Sequence, residues 1–460
     1  MTFGFRYKGA HLAAGFLLIA AVPAPARPVL LISIDGLGPN YVLDADRLGM
    51  KLPNLRRLVT EGSYAEGVRG VVPTLTCPSH ATIVTGVLPS RHGITGNDPL
   101  KTDGFSSALC TFAGDIKADT LWDAAARAGI ASASVGWLNT AGSPSIKYNL
   151  PQVEPYESDI SVKFQEAMAQ PPGLLRELEG ELGSYYQDSS EAGSEIRLRF
   201  ATEILRRYRP GFMLFHIVAV DHAAHGHGPW SDEARRAAEH EDAMVGRLIE
   251  TALANDPDTV VVVVSDHGQL PVTHAFNINI PFVEAGLIAI EPPRPGQSVR
   301  VTDWTVRKWG DAILLKDPSD VATRARVSTL LHRLAADPAN GIDRIVEGSE
   351  VEKLGGYPGA AFVIAMRPGM VLGGDYLGDR LVTFPAVRGT HGYLPEIAGM
   401  NAAFFVKGKG IERGRDLGMV DMRRIAPTVA AIMGVRLKDA TEAPLPIFGT
   451  AGNGAEKPGS

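Results

Sequence analysis

Cysteine is the scarcest residue of consequence in this chain: Cys77 and Cys110 are the only two among 460 residues. Two cannot build a disulfide framework, and both a single bridge and a pair of free thiols are open at this point. Long apolar runs are missing as well. The run at residues 13–22 is too short to span a bilayer, and the valines at 260–264 lead straight into Asp266, as a buried strand would. Basic charge is not in excess. With 45 Lys and Arg against 51 Asp and Glu the net charge is -6, which argues against a general nucleic-acid binder with its basic surface. A small anionic substrate remains open, because bound divalent cations reverse a local field. No internal repeat is visible.

What is present is ordinary globular composition, 45% hydrophobic and 21% charged, on a chain longer than one typical core. A large α/β domain with insertions fits that length as well as two domains do. Residues 1–26 read as an export signal: Arg6 and Lys8 make a basic start, residues 13–22 an apolar core, and Ala24-Pro25-Ala26 a cleavage site. The expected mature chain starts at Arg27, is periplasmic or secreted, and has no membrane span after cleavage.

Over residues 27–440 apolar strands alternate with helical segments. That predicts an α/β fold with a mainly parallel sheet sandwiched by helices. Strands are expected at 29–34, 130–136, 212–220, 259–265 and 402–406, and helices at 52–61, 78–85, 120–128, 195–208 and 231–254. In the second helix Pro78 stands at the first helical position and Gly86 just past the end. Two stretches change character. Residues 139–194, rich in Pro, Gly and Ser, read as a cap over the sheet, and residues 271–388, with a helix at 321–335 and a strand at 360–365, read as a small α+β insertion. Residues 441–460 read as a flexible tail.

Seven potential metal ligands fall in five separated segments, most of them just beyond an apolar run. They are Asp35 in LLISIDG, Thr76 in PTLTCPSH, Asp221 and His225 in VDHAAH, Asp266 and His267 in VVVVSDHG, and His391 in GTHGY. Ligands of open parallel sheets collect beyond the carboxyl ends of the strands, so Asp35, Asp221 and Asp266 are expected at one edge. Asp221 and His225 are about one helical turn apart, with Gly226 and Gly228 keeping the nearby backbone open. Carboxylates and imidazoles in this number build a two-metal site of the kind used on phosphate esters, and they suit zinc better than manganese or iron. A threonine hydroxyl is a poor nucleophile unless a cation lowers its pKa. The helix starting after Thr76 would turn free N–H groups toward a phosphoryl group. Thr74 reads as packing, and His80, His92, His222 and His227 as structural hydrogen-bonding residues.

The segments LLISIDGLGPNYV, LPNLRRLVTEGSYAEGV, VVPTLTCPSHATIVTGVLPSRHGITGN, VDHAAHGHGP, VVVVSDHG and RGTHGY together resemble the alkaline phosphatase superfamily. Within it they resemble the type I phosphodiesterase / nucleotide pyrophosphatase family most. The likeness spans nearly the whole mature chain and leaves only the two excursions unmatched. It implies a zinc-dependent phosphoric ester hydrolase acting on a small phosphoester. One divalent cation would be held by Asp221, His225 and His391, and another by Asp35, Asp266, His267 and Thr76. It further implies that Thr76 is the nucleophile, passing through a phospho-threonine, and that Asn97, closing HGITGN, binds a non-bridging phosphoryl oxygen.

One position departs from the pattern. Nucleotide-cleaving relatives carry at the place of Cys77 a phenylalanine that stacks on the base, and here a small buried residue is expected instead. Cys77, with Trp137 and Tyr148 as aromatic walls, forms the candidate substrate-binding set. Threonine-dependent monoesterases of the superfamily commonly carry a Lys-x-Arg pair, and none occurs between Asn97 and Glu195. That favours a diester. Phosphate monoester and phosphonate hydrolysis are the alternatives, and a non-catalytic metal-binding protein is a distant one, disfavoured because such a protein needs neither Thr76 nor Asn97.

Overall fold

The structure, a computed structural model, describes residues 26–97, 110–153, 159–185, 188–291 and 298–449. The expected export signal lies outside the described residues apart from Ala26. Eight strands form the central sheet: β1 (Val29–Ile34), β2 (Ser63–Tyr64), β3 (Ser132–Val135), β4 (Tyr148–Leu150), β5 (Phe212–Ile217), β6 (Val260–Val264), β7 (Phe404–Lys407) and β8 (Arg415–Asp416). Their spatial order is β8-β2-β7-β6-β1-β5-β3-β4. Every pairing is parallel except the two made by β7. The expected parallel α/β sheet is therefore present.

Strands β1 and β6 are buried along their whole length, which is why they read as unbroken apolar runs. Alternate residues of β1 serve two different cores. Leu30, Ile32 and Ile34 pack on one face with helices α1 (Pro53–Glu61), α4 (Glu191–Tyr208) and α6 (Asp232–Asn255). Val29 and Leu31 pack on the other with α2 (Thr76–Thr85), α3 (Leu121–Arg127) and α8 (Ile425–Met433). A fully buried aliphatic side chain of this kind contributes roughly 1.5–3 kcal/mol, so the two cores fix the sheet edge on which the site is built.

Several expectations are corrected. Helix α2 starts at Thr76 rather than Pro78, with Leu75 as its N-cap. Proline is tolerated throughout a first turn, where the missing N–H has no partner anyway, so it does not mark the first residue. The strand expected at 212–220 stops at Ile217, and helix α5 (Ala219–His227) begins two residues later. Within 139–194, Tyr148–Leu150 forms the edge strand β4, and Leu174, Leu175 and Leu178 enter the same core as Leu30. The tail is packed as far as Gly449, with Leu445 and Ile447 buried against α8 and the sheet.

The second insertion carries a helix α7 (Val321–Ala335), a four-stranded antiparallel sheet and a core that includes Val327, Leu331 and Phe362 and is shared with Tyr393 and Met400. Its strand expected at 360–365 lies at Phe362–Met366. No helix among the described residues is long and apolar enough to cross a membrane.

Candidate active site and metal centre

Asp35 is the first residue past β1, and its backbone N–H still donates to Ile217 O of β5 at 2.9 Å, so the carboxylate stands at the sheet's carboxyl edge. The chain then turns at Gly36, with φ of 70°; a Cβ there would lie 3.0 Å from Cβ of Asp221. Glycine thus lets the end of β1 and the helix α5 close on each other. Gly36 N donates to Asp266 Oδ1 at 3.1 Å, and His267 N donates to the same oxygen at 3.0 Å. Asp35 Oδ2 pairs with His216 Nε2 at 3.1 Å.

One oxygen of each carboxylate is therefore satisfied. Asp35 Oδ1 and Asp266 Oδ2 are buried without a hydrogen-bond partner, 3.6 and 3.1 Å from His267 Nε2. Two open carboxylate oxygens and an imidazole nitrogen in a buried site are costly unless a cation joins them. Burial first, and then the neighbouring Asp266 and Asp221 carboxylates, push the Asp35 pKa well above its usual value. The donor atoms of Asp35, Asp266 and His267 lie within 4.8 Å of one another. This set fits a divalent cation.

A second group adjoins it. Asp221 and His225 occupy one face of α5, with His225 Nε2 3.4 Å from Asp221 Oδ2, while His391 Nε2 lies 3.9 Å from Asp221 Oδ1. His225 Nδ1 donates to Gly389 O at 2.8 Å and His391 Nδ1 to Thr74 O at 2.9 Å. Each ring is thereby held with its Nε2 toward Asp221, the orientation a metal ligand needs. Burial, then His267 and His225, hold the His391 ring well below its usual pKa, so it stays neutral. His391 stacks on His267 at 3.5 Å between centroids. The second group with donor atoms within 4.8 Å is Asp221, His267 and His391, so His267 faces both groups, and His225 joins through Asp221.

Thr76 is the first residue of α2, and its Oγ1 lies 3.4 Å from His267 Nε2. His80, one turn on, locks that turn by donating from Nδ1 to Thr76 O at 2.8 Å and pairing Nε2 with Ser33 Oγ at 2.9 Å. Asn97 Oδ1 accepts from Cys77 N at 3.0 Å, which leaves the Asn97 amide donors beside Thr76. Thr74 is committed elsewhere: its hydroxyl donates to Tyr393 O at 2.6 Å and accepts from Gly392 N at 3.1 Å. His92 is buried against Thr82, whereas His222 and His227 are exposed on α5.

The candidate substrate walls are corrected. Cys77 and Cys110 form a disulfide with Cα atoms 6.0 Å apart, and both are buried with Ala81, Ile94 and Leu138. Cys77 is thus neither a free small hydrophobe nor a wall open to substrate. Trp137 is 0% exposed and packs edge-on to His80 beneath the site. Tyr148 is level with Leu30 through Ala133 and Met213, about 16 Å short of Asp35 along the strands, and stacks on Tyr208.

Reading the sequence missed three supporting residues. His216, inside the strand FMLFHI, orients Asp35, and its position in an apolar strand was the available signal. Gln269 Nε2 donates to Asp221 Oδ1. Glu241 of α6 reaches across to accept from Ala219 N at 2.8 Å, capping the helix that carries Asp221 and His225. Burial pushes the Glu241 carboxyl from 4.5 up to about 8, against the hydrogen bonds from Ala219 and Ser194 that lower it. A folded-state pKa above the unfolded one contributes stability below the unfolded pKa that is lost as pH rises through the folded pKa. Between pH 4.5 and about 8 the wild type should therefore lose stability relative to Glu241→Gln, measured as the difference in Tm. A pH-independent difference would remove Glu241 as the titrating group.

The type I phosphodiesterase / nucleotide pyrophosphatase family model matches residues 29–394. Ectonucleotide pyrophosphatase/phosphodiesterase family member 1 of Mus musculus is 27% identical over 252 residues, covering 52% of this chain and 24% of that protein. Venom phosphodiesterase 2 of Crotalus adamanteus is 25% identical over 253 residues, covering 52% and 26%. The chain thus spans about a quarter of the length of these relatives. Murine ectonucleotide pyrophosphatase/phosphodiesterase 5 superposes with a TM-score of 0.63 at 18% identity, over 91% of this chain and 97% of that one. An inactive threonine-to-alanine form of the same murine protein is known in complex with AMP, at a TM-score of 0.61 and 17% identity. Wild-type alkaline phosphatase PafA gives 0.66 at 15%, over 93% and 100%. At these identities the structures speak for the fold. The family match, running from β1 to just past His391, carries the assignment: the chain belongs to the type I phosphodiesterase / nucleotide pyrophosphatase family.

Proposed function

We propose that the protein is a two-metal phosphodiesterase working through a phospho-threonine at Thr76. The observation that carries this reading is the placement of Thr76 Oγ1, at a helix start, 3.4 Å from the same His267 nitrogen that faces the two open carboxylate oxygens. Asp35, Asp266 and His267 with Thr76 would hold one cation, and Asp221, His225 and His391 the other, zinc suiting these oxygen and nitrogen donors best. Such cations supply Lewis-acid stabilisation of the phosphoryl oxygens and a lowered pKa for a bound hydroxyl. The rest is the work of the chain. Thr76 attacks as its alkoxide, the proton having gone to solvent; its oxygen bonds to phosphorus as the bond to the leaving alcohol breaks. The first-turn N–H groups of α2 and the amide donors of Asn97 bind the non-bridging oxygens as charge develops there. Water then hydrolyses the phospho-threonine and frees Thr76.

Two further observations support this reading. In the murine neighbour the inactive form carries a threonine-to-alanine change. A PafA variant has been made at a threonine and an asparagine with the same spacing as Thr76 and Asn97, together with a lysine and an arginine in Lys-x-Arg spacing. This chain lacks Lys-x-Arg between Asn97 and Glu195, which favours a diester over the more highly charged monoester. A panel of aryl phosphate diesters, monoesters and phosphonates tests the assignment, with diesters expected to turn over fastest. In that panel Asn97→Ala should cost about 2.7–4 kcal/mol in kcat/KM. A clear preference for monoesters would hand the same site to an alkaline phosphatase activity. We also propose export, to the periplasm or the medium: the Cys77–Cys110 bridge suits an oxidising compartment.

A further inference from the structure

We infer that the leaving group of the substrate is a bulky, uncharged, largely apolar alcohol, seated in a cavity beside His225. This rests on the phosphodiesterase reading above and adds to it the chemistry of one arm of the diester. A cavity of about 770 Å³ opens against α5, walled by Ala219, Ala223, His225, Ala237, Ala386 and Val387. That size suits a drug-sized organic group. Its position follows from the displacement. Thr76 lies by His267 and Asp266, and an in-line reaction expels the leaving oxygen on the side opposite the attacking one. That side is the Asp221, His225 and His391 group, and His225 is at once part of that group and part of the cavity wall.

Room for the cavity comes from the small residues Ala219, Ala223 and Gly226, which line it from α5 beside His222, His225 and His227, and from Ala237 of α6 beside Glu233 and Arg236. The far wall is fastened to the site, since Arg388 N donates to His225 O at 2.8 Å directly after Val387. On this segment Ala386 and Val387 line the cavity, and Val387 is 40% exposed. The charges on the rim are Glu191, Glu233 and Arg236, with Glu233 3.3 Å from Arg236. Two carboxylates against one guanidinium disfavour a leaving group that carries its own phosphate.

Four methyl or phenyl phosphodiesters test this, each retained group paired with a small or a large phenol of matched acidity, 4-nitrophenol or 4-methylumbelliferone. Ala223→Trp fills the cavity from α5, and Val387→Trp fills it from an exposed position where misfolding is not at issue. In both variants the ratio of kcat/KM for the large leaving group to that for the small one should fall at least about tenfold, through KM, whichever group is retained. A loss that follows the retained group, or an unchanged ratio in Val387→Trp, overturns the inference while wild-type turnover keeps the diesterase reading. No turnover of any of the four by the wild type overturns both.

Discussion

Thr76→Ala is expected to lower kcat/KM for an aryl phosphate diester by about 10³-fold or more, roughly 4 kcal/mol of transition-state stabilisation. The size follows from what surrounds the residue. Thr76 Oγ1 is the hydroxyl 3.4 Å from His267 Nε2, while the competing hydroxyl of Thr74 is tied to Tyr393 O and Gly392 N and cannot turn to replace it. The fold should survive, because α2 takes no side-chain cap from Leu75 and the turn around Thr76 is held by His80 through a backbone carbonyl. A stability change within about 1 kcal/mol is expected. Two measurements check this. Rapid acid quench during turnover should trap phosphate on the wild-type peptide containing Thr76 and none on the variant, and the variant's Tm should stay close to that of the wild type. A Thr76→Ala protein with near-normal turnover would end the nucleophile assignment.

The parts of this site that were legible in the sequence share a physical cause. Asp35 and Asp266 follow strands buried on both faces, so each carboxylate interrupts an apolar run and stands out. Asp221 is legible as a candidate ligand but not in its setting: the apolar residues before it run on from β5, and periodicity cannot separate the strand's last residues from the first turn of α5. What could not be read depends on contacts between distant segments. Glu241 reaches Ala219, His216 reaches Asp35, and Cys77 meets Cys110 only because the chain closes around them. The aromatic candidates failed for the same reason. Trp137 and Tyr148 are aromatic in any fold, but only the register of β3 and β4 places one under the site and the other at the wrong end of the sheet.

Stripping divalent cations should abolish turnover and lower Tm together, and zinc should restore both. The coupling follows from the electrostatics of the cluster. Asp35 and Asp266 are buried, Asp221 adjoins them, and the two open oxygens on Asp35 and Asp266 have no hydrogen-bond donor. A cation binds this arrangement only in the folded chain, so each occupied site adds about 2.7 kcal/mol at a free metal concentration a hundredfold above Kd and about 4.1 at a thousandfold. Two sites acting together should shift Tm by several degrees, readable by scanning calorimetry with and without chelator. Metal analysis of the purified protein is expected to return about two zinc ions per chain, two being the number such sites use. Single substitutions separate the sites: Asp266→Asn should empty mainly the one beside Thr76, and His391→Ala mainly the one beside His225. Chelated protein that kept its Tm and its turnover would remove the cations from both folding and catalysis.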